Sequence, residues 1–245
     1  MGLAMTDRPA DAPAPSPAPS ASGPAPGGAA RLALVTGASR GLGAAMAEAL
    51  GARGWHVVAV ARTQGGLEEL DDRIRAAGGS ATLAPMDVTQ PEAMTELGRQ
   101  LRDRWGGLDL WVHAAIHAAP LTPAGHIDAR DWTRSLATNV TAVAQLIPLI
   151  EPLLRARGGT AVFFDDPQPG RAFFGSYGAS KAAQIALVRS WQAESARLGP
   201  GVAIETPPPM PTALRGRFFP GEDRAPLTPP GAVAAAMLER LLGGV

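Results

Sequence analysis

The run "VTGASRGLGAAMAEAL", Val35 to Leu50, joins an apolar stretch to an alanine-rich one through three glycines, Gly37, Gly41 and Gly43. Glycine at such a junction lets the backbone turn tightly and come close to a ligand. A helix starting there offers unpaired N–H groups and the positive end of its dipole, which suits a pyrophosphate. A glycine trio alone also fits a plain turn, so the reading depends on a strand before it and a helix after it. The flanks supply both patterns, "RLALVT" ahead and "GAAMAEALGAR" behind.

Further along, the same alternation repeats. "WHVVAVA", "ATLAPM", "LDLWVHAA", "GTAVFFD" and "VAIET" read as buried strands. Between them lie helix-length segments: "GGLEELDDRIRAAG", about Asp131 to Arg157, and about Ser176 to Leu198. Continuous apolar strands separated by amphipathic helices predict a parallel sheet covered on both faces. The expectation is therefore an α/β fold, a Rossmann-like doubly wound sheet of about six strands in a single domain. A Pro-rich connection then leads to a last helix at about Pro230 to Leu242, and no seventh strand follows.

The domain is expected over residues 31–245, after a disordered Pro/Ala-rich tail over residues 1–30. No apolar core follows a basic start, no apolar run of membrane-spanning length is read, and the cytoplasm is the default location. The 22 basic and 22 acidic side chains cancel, so neither nucleic acid nor an anionic membrane is an expected partner. With no cysteine, disulfides and thiolate metal sites are excluded. His113 and His117 are four apart but straddle a strand end and a loop, so no metal site is expected.

Two features point to chemistry. The second strand ends "VAVART", placing Ala61 and Arg62 where an acidic side chain would otherwise bind the ribose 2'-hydroxyl of NAD. With Arg40 in the glycine turn, two guanidinium groups are available for a 2'-phosphate, which favours NADP over NAD. The chain also contains one tyrosine and one lysine against 21 arginines, and both fall in "SYGASK" as Tyr177 and Lys181. Four apart on a helix, they share a face. A nearby ammonium lowers a phenol pKa towards neutrality, as a general acid/base requires.

These motifs resemble those of the short-chain dehydrogenase/reductase family, and of its YciK-like bacterial branch in "GRAFFGSYGASK" and the segment after Thr212. "TGASRGLG" is similar to the family's cofactor loop and "YGASK" to its catalytic pair. The resemblance implies cofactor contacts from Gly37, Ser39, Arg40, Gly41, Leu42, Gly43, Arg62, Asp87, Val88, Lys181 and Thr212. It implies proton transfer by Tyr177, ribose binding and tuning of Tyr177 by Lys181, and a relay water held by Asn139. The implied reaction is hydride exchange between NADP(H) and a small carbonyl or alcohol substrate.

Four features depart from the family pattern. No serine stands at the end of strand five, where Phe164, Asp165 and Asp166 occur, and Ile116 takes the place of a glycine after strand four. Pro207 and Pro208 replace a proline–glycine pair, and the seventh strand is absent. The last departure puts the family's usual tetramer in doubt and leaves a homodimer as the compatible assembly. Together they raise an alternative, a catalytically impaired cofactor-binding protein with a regulatory or scaffolding role.

Overall fold

The computed structural model describes residues 31–243; the expectation for residues 1–30 lies outside them. Six strands form one parallel sheet: β1 (Leu32–Thr36), β2 (His56–Ala61), β3 (Ser80–Pro85), β4 (Leu110–His113), β5 (Thr160–Phe164) and β6 (Gly201–Glu205). Their spatial order is β3-β2-β1-β4-β5-β6. The chain winds outward from β1 to β3, then returns to lay β4 against β1 and winds the other way. The order reverses between β1 and β4, with Thr36 opposite His113 at the C-terminal edge. Ligands of open α/β sheets bind in the crevice outside such a reversal. The expected six-strand doubly wound sheet is thus present, with β6 at one edge.

The strands read as continuous apolar runs because both faces are covered, yet their two-residue period survives in what each side chain touches. On β1, Ala33 and Val35 face one core, with Met46, Leu50, Leu67, Leu70 and Met237. Leu32 and Leu34 face the other, with Leu97, Leu146, Leu153 and Trp191. The first core is closed by helices α1 (Gly41–Gly51), α2 (Gln64–Ala76) and, at the chain's end, α8 (Pro230–Leu242). The second is closed by α3 (Pro91–Trp105), α5 (Ala142–Arg157) and α6 (Gly175–Ser195). Trp111, on β4, is fully buried and Trp55 nearly so, as packing rather than chemistry requires.

Helix α4 (Ala129–Leu136) begins where the Asp128 carboxylate accepts from the Arg130 and Asp131 N–H groups. A π-turn over Ala137–Thr141 joins it to α5, giving a continuous helical stretch from Ala129 to Arg157. That stretch is long and apolar enough to cross a membrane by length and composition, which corrects the expectation that no such run exists. Its Ala142, Val143, Leu146, Ile150, Leu153 and Leu154 lie against the sheet, so its apolar character serves the core. A short helix α7 (Ala213–Phe218) follows β6, its Thr212 Oγ1 accepting from the Arg215 N–H.

Candidate active site

The candidate site residues follow the C-terminal ends of the strands. The glycine turn leaves β1 with the Gly37 and Ala38 N–H groups both donating to the Val60 carbonyl. Gly37 has φ +82°, and a Cβ there would lie 2.5 Å from the Ala114 carbonyl carbon. A Cβ on Gly43 would lie 2.3 Å from the Gly37 oxygen. Both positions therefore exclude any side chain, whereas Gly41, at φ +60°, is glycine for its left-handed backbone. No side chain caps the start of α1. Its first-turn N–H groups stay open to a ligand, which is how a helix end binds phosphate.

Ser39, Arg40 and Leu42 surround this turn, and Arg40 is exposed. Arg62 is also exposed and reaches to 3.9 Å from the Asp87 carboxylate. Asp87 in turn accepts from the Thr89 N–H and hydroxyl, which fixes the loop that carries Val88. Thr212 comes within 3.6 Å of where a Cβ on Gly41 would sit, so the loop after β6 does close on the glycine turn. A groove of about 680 Å³ opens at Ser39, Arg40, Gly41 and Thr212. It runs over the outer face of α1 towards Arg73 and Pro230, away from Tyr177.

Helix α6 carries Tyr177 and Lys181 on one buried face, as their spacing requires. Their partners differ from the expected ones. Tyr177 Oη donates to Asp166 Oδ2 at 2.7 Å, and Lys181 Nζ donates to Gln184 Oε1 at 2.6 Å. The expectation that Lys181 draws the phenol towards neutrality is overturned. Burial first, then the Asp166 carboxylate, push Tyr177 well above the usual phenol range. Burial holds Lys181 down to about 8, against the opposing pull of Asp166 and Asp165.

Asn139 sits in the π-turn with no exposed surface. Its side chain clamps the loop after β4, accepting from the His117 N–H and donating to the His117 carbonyl and Ser180 Oγ. Its main-chain oxygen accepts from Gln184 Nε2 at 2.9 Å. Asp165 is turned elsewhere, its N–H on the Glu205 carbonyl and its carboxylate 3.4 Å from Arg189. Of the two carboxylates at the end of β5, Asp166 is therefore the one that meets Tyr177. Ser176 and Tyr177 both offer their main-chain carbonyls to the Ser180 hydroxyl.

Over the phenol lies an apolar roof. Phe218 of α7 lies tilted against the phenol at 4.8 Å between ring centroids, and Phe174, Ile116, Ala118, Leu121, Leu214 and Phe219 complete the cluster. Tyr177 is left 3% exposed. His113 at the tip of β4 is fully enclosed, its Nδ1 2.8 Å from Thr36 Oγ1 and its Nε2 without a hydrogen-bond partner among the described residues. Desolvation holds it down to about 3.

Gln184 and Phe218 carry no motif signal. The signal for Gln184 was its place: three residues after Lys181 and seven after Tyr177, it shares their helix face.

The family model for short chain dehydrogenases matches residues 31–223. The chain belongs to the short-chain dehydrogenase family. It is thus a member of a family of oxidoreductases that bind NAD(P). The chain is 32% identical over 201 residues to 3beta-hydroxysteroid dehydrogenase 1 of Eggerthella lenta, covering 76% of this chain and 73% of that protein. It is 32% identical to the ketoacyl reductase HetN of Nostoc, over 71% of this chain and 61% of the relative. Among solved structures, the oxidoreductase yciK of E. coli superposes with TM-score 0.78 at 26% identity, over 85% of this chain and 88% of that one. A short-chain dehydrogenase of Shigella flexneri solved with NADP gives TM-score 0.79 at 26% identity, over 85% and 90%. The YciK-like likeness read from the sequence is borne out by these neighbours. Within this short-chain dehydrogenase, Asp166 stands just after β5 and bonds the tyrosine.

Proposed function

We propose that the protein is a cytoplasmic NADP(H)-linked oxidoreductase acting on a small carbonyl or alcohol compound, with Tyr177 moving the oxygen-bound proton. The observation that carries this reading is the placement of the chain's sole phenol and sole amine. They stand one helical turn apart at the sheet edge where the strand order reverses, beside a glycine turn that admits no side chain. The residues fit a dinucleotide: bare backbone at Gly37 and Gly43, uncapped N–H groups at the start of α1, and Thr212 closing the loop after β6. Ser39, Leu42, Asp87, Val88 and Lys181 would complete the contacts. Exposed Arg40 and Arg62 would hold a 2'-phosphate, and the Shigella relative solved with NADP supports the same choice.

When bound, the nicotinamide supplies or accepts the hydride. Tyr177 holds its proton firmly, because burial and the Asp166 carboxylate both oppose the phenolate. The phenol therefore rests protonated, the state in which it can give a proton to a substrate oxygen. Lys181 is anchored by Gln184, and Asn139 locks the loop after β4 against α6. The apolar roof of Phe218, Ile116 and Leu214 excludes water from the phenol and must part for a substrate to enter.

The Asp166 bond and that same roof favour a second reading, a cofactor-binding protein with impaired turnover. Titrating NADPH and NADH against protein fluorescence, then screening carbonyls with wild type and Tyr177→Phe, separates the two. Tight NADPH binding with turnover that vanishes in Tyr177→Phe is expected. Tight binding with no turnover dependent on Tyr177 selects the second reading, and binding of neither nucleotide defeats both.

A further inference from the structure

Lys181 and Asn139 are joined by an amide. Lys181 Nζ donates to Gln184 Oε1, and Gln184 Nε2 donates to the Asn139 main-chain oxygen, at 2.6 and 2.9 Å. All three residues are buried, Gln184 to 1% exposure. The carbonyl is available because Asn139 lies in a π-turn, whose wider backbone spacing loosens the helical ladder. A neutral carboxamide offers fixed donors and a fixed acceptor. It holds Lys181 and Asn139 in register but passes no proton between them. The position where the family resemblance implies a relay water is filled by a group that cannot act as one.

The other side of the phenol is different. Tyr177 Oη donates to Asp166 Oδ2 at 2.7 Å, and Asp166 is only half-buried, followed by exposed Pro167. A carboxylate gains and loses a proton readily, and this one touches both the phenol and the solvent border. The charged groups facing it are Asp165 beside it, Lys181 from α6 and Arg215 from α7. Lys181 is held by Gln184 and Arg215 is paired with Glu222, so neither takes the carboxylate from the phenol.

We propose that Asp166 passes protons between solvent and Tyr177, and that Gln184 closes the alternative route through Lys181 and Asn139. The inference rests on the oxidoreductase reading above. In reduction, the substrate oxygen, made anionic by a reduced nicotinamide, takes the phenol proton: the Tyr177 O–H bond breaks and a substrate O–H bond forms. The Asp166 carboxylate collects a proton from solvent and hands it to the phenolate. Both groups return to their starting states, with one solvent proton consumed per turnover. Asp166 thereby acts as a positioning and proton-passing residue in the place of the family's serine.

Two readouts test this on the full chain. The tyrosine Raman doublet reports a single site, since Tyr177 is the sole tyrosine, and needs no cofactor. In Asp166→Asn its intensity ratio should shift as the phenol loses a charged acceptor. Turnover should fall by roughly 100-fold, the scale of general acid–base assistance. Adding Gln184→Ala leaves Lys181 Nζ and the Asn139 carbonyl as partners for a water, and should recover at least tenfold of that loss. Circular dichroism confirms folding, and Asp166→Glu, which keeps a titratable group, should retain more activity than Asp166→Asn. An unchanged doublet, full activity in Asp166→Asn, or no recovery in the double variant overturns the proposal. A wild type that binds neither nucleotide defeats the oxidoreductase reading and the relay with it. Binding and turnover with an unchanged doublet defeat the relay alone.

Discussion

His113 makes the fold acid-sensitive by an amount that can be worked out. Its ring is fully enclosed between Trp111 and Phe163, with Nδ1 on the Thr36 hydroxyl and Nε2 facing no hydrogen-bond partner among the described residues. Protonating the ring puts an N–H on both nitrogens, and the one on Nε2 would be buried and unsatisfied. Lys181 adds a like charge. Unfolded, the ring takes a proton near 6.5; folded, it resists until about 3. Between those values the unfolded chain binds more protons, so stability rises with pH. The stabilisation is complete above pH 6.5 and is lost as pH falls through the window. Each pH unit below 6.5 costs about 1.4 kcal/mol, or about 2 kcal/mol at pH 5. That is a large share of an ordinary domain's stability. With a urea slope of roughly 3 kcal/mol per molar, the unfolding midpoint should drop by about 0.7 M between pH 7.5 and pH 5. His56 and His117, also held low by burial, add to the same trend, so the decisive comparison is with a variant. His113→Asn keeps a partner for Thr36 and removes the titration. Its stability at pH 7.5 is expected to be lower, because the smaller side chain leaves a cavity. Its midpoint should nevertheless change with pH by about 0.7 M less than that of wild type. If the two proteins lose equal stability on acidification, the argument from the unpaired Nε2 is wrong.

Gly43→Ala should weaken nucleotide binding by more than tenfold and lower the melting temperature, since its Cβ would meet the Gly37 oxygen at 2.3 Å and force the turn open; fluorescence titration and a thermal scan measure both. Arg62→Ala should raise the NADPH dissociation constant by about tenfold, equivalent to one charge-assisted hydrogen bond of about 1.4 kcal/mol, while leaving NADH nearly unaffected. Lys181→Met should flatten the rise in stability between pH 8 and 10.5: the buried amine titrates at about 8 when folded and near 10.5 when unfolded, so wild type gains stability as pH climbs through that window. Equilibrium urea unfolding at pH 7.5 and pH 9.5 reads the difference.

The fold was legible because its determinants are local or periodic. The apolar run Leu32–Val35 reads as a strand buried on both faces because such runs recur with helix-length segments between them, and Gly37 can only be glycine where the backbone passes Ala114 so closely. Helical spacing likewise puts Tyr177 and Lys181 on one face. What the spacing could not convey is which group each side chain would bond. That depends on contacts between segments far apart in the chain. Asp166 reaches Tyr177 from the end of β5, and Phe218 reaches it from α7, 41 positions later in the chain by number. The direction of the Tyr177 shift turns on such contacts. The sequence places an ammonium one turn away, but the fold gives that ammonium to Gln184 and gives the phenol a carboxylate.

The partner switch joins the departures from the family pattern into one physical arrangement. With serine, the phenol would stand beside a neutral hydroxyl, and a lysine free to face it would dominate its titration. With Asp166 there, a lysine aimed at the phenol would instead pair with the carboxylate and bury an ion pair whose desolvation is costly. Gln184 prevents this by holding the amine on a neutral acceptor, deep beside Asn139. The same bond fills the space between Lys181 and Asn139, so the carboxylate becomes the phenol's only titratable hydrogen-bond partner among the described residues. On this argument Asp166 and Gln184 are coupled. Gln184→Leu alone should let Lys181 swing towards Asp166, raise the amine's pKa above 8 and lower the charge felt by the phenol. Double-mutant analysis of the pair should then show an interaction well beyond additivity. Additive effects would mean that the two substitutions have nothing to do with each other.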